Sequence, residues 1–260
     1  MNNEYKKFLD EYFLTLLDFI HTSRRLNEVL TLDYKKYCQV GATYDSNSAL
    51  IISDWTGETD NNWVLPFHSG IFRNTSKENY QNEITGVLSR EFCFLYSQSY
   101  ESLEKFFKEC VFFKATNDLM FCEEIKKIFK IDGQLTRENI KGGDLLYKAI
   151  KKLGKETLQI LSKENNTKIK FGELLKILSE VRHSITHSKS VINKSKIYVT
   201  QYHKQIFDFL FSHSEIDNDK LIIELDFKKF DYLLKKLAEF AFQIFKAISI
   251  EENLNWNYEK

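Results

Sequence analysis

Proline and glycine are almost missing from this chain: Pro66 stands alone in 260 residues, and there are nine Gly. So little turn chemistry excludes a β-sandwich with its frequent tight turns and favours long helices. The four Cys (38, 93, 110 and 122) show no CxxC spacing. Neither a zinc knuckle nor a disulfide framework is expected, and they read as buried free thiols in a reducing compartment. No apolar run reaches the length of a membrane span, and the first residues lack the basic-then-apolar order of a secretory signal. The expectation is a soluble, cytoplasmic protein without cofactor or bound metal and without membrane contact. Arginine is scarce as well, with six residues (24, 25, 73, 90, 137, 182) against thirty-one Lys.

What is present is apolar and aromatic. Residues of apolar type make up 43% of the chain, including 22 Phe and 13 Tyr, enough for a sizeable core. Helical periodicity dominates. Over 4–30, Tyr5, Phe8, Leu9, Tyr12, Phe13, Leu16 and Ile20 recur at three- and four-residue spacing. A long helix is expected over 79–115 and a shorter one over 118–130. Gly142 and Gly143 precede another that reaches Ser162, with Asp144 as its N-cap. Further helices are expected over 170–189 and 195–212, although Ile197–Thr200 leans toward strand. Leu221–Asp226 reads as a short strand or extended segment, and Asp226 caps a last helix to about Ile250.

Between Lys35 and Asn79 the periodicity dissolves into Gly, Asn, Thr, Ser and Asp, with Trp55, Trp63 and Pro66. A loop this long is unusual in a compact domain, and its two Trp point to packing. Ala49–Ile52 is the one short strand expected within it. The pattern divides the chain into 1–78, an N-terminal helix with a Trp-containing loop region, and 79–255, a helical domain. The fold class is all-α.

The net charge is zero, yet charge is unevenly placed. Between Lys141 and Lys204 thirteen Lys and Arg182 face five carboxylates, a local surplus of nine positive charges. Inside that stretch lies Val181-Arg182-His183-Ser184-Ile185-Thr186-His187-Ser188. At about 100° per residue, Phe171, Leu174, Leu178, Val181 and Ile185 share one face of the helix. Arg182 sits at the edge of that stripe, and His183 and His187 stack one turn apart nearly opposite it. Three readings compete. An HxxxH pair offers two imidazoles to a metal, but no Glu follows the first His and no third ligand is spaced to complete a set. The pair can be an inert feature of a Lys-rich surface. Or Arg182 and His187 act together on phosphate, because Arg and His are sufficient to cut an RNA phosphodiester without a metal.

Val181, Arg182, His183 and His187 resemble, position by position, the Rx4–6H signature of the HEPN superfamily in its four-residue-gap form, with Ile185 as the apolar residue inside the gap. Tyr100–Phe107 resembles the "LE" helix that packs beside the motif helix in several HEPN groups. The likeness covers about 80–250 and is specific at the octapeptide. It implies an up-and-down helical bundle that dimerises through the motif helix. The implied activity is metal-independent RNA cleavage by the substrate's 2′-OH, in a toxin–antitoxin or anti-phage defence setting with an antitoxin or other defence-system protein as partner. In that scheme His187 is the acid/base, Arg182 stabilises the phosphate, His183 orients Arg182 or the phosphate, and Glu104 holds Arg182. The alternative is a non-catalytic HEPN-like module for dimerisation or for RNA or protein binding, recognisable by an Arg182 tied up in an internal ion pair beside an exposed His187.

Overall fold

The computed structural model describes residues 3–58 and 64–257. Among them are eight α-helices and five strands, in the order α1 (Glu4–Tyr37), β1 (Asp45–Glu58), β2 (Val64–Ser76), α2 (Tyr80–Asn117), α3 (Leu119–Phe129), α4 (Asp144–Lys163), α5 (Phe171–His187), β3 (Val191–Asn193), α6 (Lys194–Ile197), α7 (Gln201–Leu210), β4 (His213–Asp217), β5 (Lys220–Ile223) and α8 (Phe227–Glu251). Helix predominates, but two antiparallel sheets accompany it, β1-β2 and β3-β5-β4, so the all-α expectation holds only for the bulk of the chain. No described helix is long and apolar enough to cross a membrane. The chain forms two compact units, one from the residues up to Arg24 with those from Ser89 onward, the other Arg25–Leu88.

The first unit is a helical bundle around aromatic side chains. Phe92 of α2 stacks on Phe230 of α8 with centroids 5.3 Å apart, and Phe107 and Phe171 both meet Phe240 edge-on. Tyr5 and Tyr12 bring the start of α1 against Phe113 and Phe106 of α2. Tyr96 is fully buried, and its hydroxyl donates to the Leu178 carbonyl at 2.7 Å, which ties α2 to α5. A buried phenol without such an acceptor would cost one to several kcal/mol, roughly. Asn3 Nδ2 donates to Ser249 Oγ and to the Asn255 carbonyl, both at 2.9 Å, joining the chain's two ends.

Local chemistry sets the helix boundaries. Asp118 and Asp226 cap α3 and α8, accepting from Phe121 N and Lys229 N. At α4 the N-cap is Gly143 and not Asp144. Its φ of 73° and ψ of −147° belong to a region open essentially to glycine alone, so Asp144 becomes the first helical residue. The expected helix over 195–212 divides into α6 and α7, because Thr200 Oγ1 accepts from His203 N and starts a new helix. Leu221–Ile223 lies in β5, the middle strand of its sheet.

In the second unit the expected loop is a long hairpin. Asp45 pairs with Ser76 and the ladder runs out to Glu58 with Val64, interrupted between Ala49 and Ile51 and between Asp54 and Glu58. Gly70, at φ +78°, lies within the first interruption, where Ser69 Oγ donates to the Leu50 carbonyl. Pro66 is tolerated because each strand of a two-stranded ribbon has an unpaired edge. The base is held by Tyr37, Tyr44 and Tyr80, by a Tyr80 hydroxyl bond to Asp33, and by Lys77 Nζ donating to the Gln39 and Ala42 carbonyls. Trp55 does not pack as expected but is 91% exposed; Trp63 lies outside the described residues.

Candidate functional site: a charged pocket beside the motif helix

Helix α5 forms because its apolar residues keep helical period. Phe171, Leu174, Leu175, Ile177, Leu178, Val181, Ser184 and Ile185 are buried. Its first orphan N–H groups are met from elsewhere in the chain: Lys170 N donates to the Tyr202 hydroxyl at 2.7 Å and Phe171 N to Ser162 Oγ at 3.0 Å. At the other end Ser188 N and Ser190 N both donate to the Ser184 carbonyl, and left-handed Lys189 and Ser190 turn the chain into β3.

That packing leaves His183 and His187 exposed, side by side, with ring centroids 4.7 Å apart. Arg182 lies between the two environments, its side chain 31% exposed, and its Nη2 donates to Glu101 Oε1 of α2 at 2.6 Å. Glu104 does not hold the arginine. Its Oε1 accepts from Gly143 N at 2.8 Å, and its carboxylate lies so close to Gly142 that a β-carbon there would collide with it. Glu101, three residues earlier on α2, takes the place expected of Glu104.

Arg182, Glu101 and Glu104 line one open pocket of about 400 Å³, together with Lys105, Lys108, Arg137 and Glu138. Positions 101, 104, 105 and 108 form a single stripe along α2 at helical spacing; Arg137 and Glu138 come from the segment between α3 and α4. Arg137 is itself paired with Glu109 at 2.5 Å. Burial pushes the neighbouring Tyr100 phenol well above its ordinary value, with the Glu104 charge adding to it. His183 and His187 are not among the pocket-lining residues. Among the described residues no cluster of three or more His, Cys, Asp or Glu side chains could hold a metal ion.

Sequence reasoning placed Arg182 and the histidines by periodicity and passed over Glu101, Lys105, Lys108 and Arg137. The stripe on α2 carried the available signal, since four charged residues at helical spacing share a face. The contribution of Arg137 comes through tertiary folding and has no local signature. No family model, curated protein or solved structure matches the chain.

Proposed function

We propose that this chain is a metal-independent endoribonuclease of HEPN type. The observation that carries the reading is the division of α5 at its C-terminal end: Arg182 is anchored at a charged pocket while His183 and His187 stand in solvent together. Histidine is the side chain able to take the 2′-OH proton and to protonate the departing 5′-oxygen near neutral pH. His187 has that role, and His183 orients the phosphate beside it. Arg182 offers a planar, permanently charged fork to the phosphate as negative charge builds in the transition state.

Residues five apart on a helix point about 140° away from each other. Arg182 and His187 of one copy therefore do not converge readily on one phosphate. A second copy, docked through its own α5, brings a partner arginine to each histidine, which supports a homodimer. The resemblance extends the reading to a cytoplasmic toxin–antitoxin or anti-phage defence setting, with an antitoxin or defence-system protein as partner.

A second reading is favoured by the Arg182–Glu101 ion pair, since an arginine held internally beside exposed histidines suits a non-catalytic dimerisation or binding module. Cleavage of cellular RNA in EDTA separates the two. Wild-type activity lost in Arg182→Ala and in His187→Ala, and regained on mixing the two variants, supports a composite catalytic site. Silence of all three proteins at the dimer's working concentration favours the module.

A further inference from the structure

We infer that the pocket beside Arg182 is a subsite for the phosphate backbone of single-stranded RNA, in which Arg137, Lys105 and Lys108 join Arg182; this rests on the ribonuclease reading for the identity of the polymer. Committed and free polar groups meet in this pocket. The carboxylates are engaged: Glu101 with Arg182, Glu104 with Gly143 N, and Glu109, behind Arg137, with that arginine. Glu138 is held below its ordinary value chiefly by its own backbone N–H and keeps its charge.

The donors are mostly free. A guanidinium carries five N–H groups, yet among the described residues those of Arg182 and Arg137 each show one carboxylate contact, and each has a buried Nε without a partner. The Lys105 and Lys108 side chains line the pocket, and among the described residues neither ammonium is in an ion pair or hydrogen bond. Four carboxylates balance the four cations, so bulk charge alone does not draw an anion here. The partnerless buried Nε groups of Arg182 and Arg137 do, and such directional donors suit an anion with several acceptor oxygens on each centre. A volume of about 400 Å³ falls in the range of small-ligand sites. Two arginines and two lysines around one opening match a backbone of successive phosphates more closely than an isolated anion.

The test is binding of a fluorescent 2′-O-methylated oligoribonucleotide, which lacks the nucleophile and so reports binding without cleavage. Lys105→Ala/Lys108→Ala should weaken it about tenfold at physiological salt and reduce the slope of log affinity against log salt by about 1.4, the value for two single-strand phosphate contacts. Arg137→Lys keeps the charge and the link to Glu109 but loses the fork; it should weaken binding several-fold with the salt slope unchanged. Lys151→Ala/Lys152→Ala, on α4, serves as comparison within the basic stretch. Wild-type affinity and slope in the Lys105/Lys108 variant, with the loss appearing in the Lys151/Lys152 variant, would overturn the subsite. So would displacement of the RNA by polyglutamate at lower concentration than by unlabelled RNA. Absent cleavage with pocket-dependent binding removes the nuclease and keeps the subsite; intact cleavage with pocket-independent binding does the reverse.

Discussion

Replacing Glu101 by Gln should move stability and RNA affinity in opposite directions. The Arg182–Glu101 pair is short, 2.6 Å, but its side chains are 31% and 51% exposed, so water screens it and its contribution is about 0.5–1 kcal/mol. Gln keeps the shape and a weak acceptor while removing the charge. The folded state should lose up to that amount, a fall in Tm of about 1–4 °C in a chain of this size. In the proposed RNA complex the same carboxylate would compete with phosphate for Arg182. Removing it returns a similar free energy to binding, which is about two- to fivefold tighter association. Melting curves and titration with the 2′-O-methylated oligonucleotide measure both, with Glu123→Gln on α3 as a charge-matched comparison. Affinity that falls together with stability, or rises equally in the comparison variant, would show that Arg182 holds the fold and does not meet RNA.

Three further outcomes follow from the packing. Gly142→Ala should cost at most about 1 kcal/mol, because its β-carbon meets the movable end of the Glu104 side chain and displaces it from Gly143 N, and in a Glu104→Ala background the same substitution should cost nothing further in chemical denaturation. Thr157 N and Oγ1 both donate to Glu251 Oε1 and hold that carboxyl below its ordinary 4.5; the stabilisation is full above that pH and lost as pH falls through the lowered value, so Thr157→Val should cost about 1 kcal/mol at pH 7 and nearly nothing below the folded-state value, as measured by urea midpoints. Exchanging residues 45–76 for a short Gly-Ser connection should leave the compact unit that contains α3 to α8 folded, with helical circular dichroism and a cooperative melt retained; loss of cooperativity would show that the two units are not separable.

Much of the bundle was legible because burial imposed period on the chain. The α5 stripe from Phe171 to Ile185 and the cap at Asp226 could be read locally; the cap at Asp118 was passed over. The hairpin could not. Leu50, Ile51, Ile52, Trp55, Phe67, Ile71 and Phe72 are all exposed, so no buried face enforces alternation, and two register breaks interrupt what remains. At α4, sequence preference favoured Asp144 as cap, while the backbone used a conformation that suits Gly143. The motif helix was legible and the pocket beside it mostly was not. Periodicity exposes Arg182, His183 and His187, but the choice of Glu101 over Glu104 depends on where Gly143 delivers its N–H, a fact of tertiary structure.

The most direct measurement is cleavage of a short oligoribonucleotide in EDTA, beside the same oligonucleotide carrying 2′-deoxyribose at the cut position. The account predicts cleavage of the ribose form only, with 2′,3′-cyclic phosphate and 5′-hydroxyl ends, and none by Arg182→Ala or His187→Ala. Cleavage of the deoxy form, 3′-hydroxyl products, or full activity in either variant would contradict it.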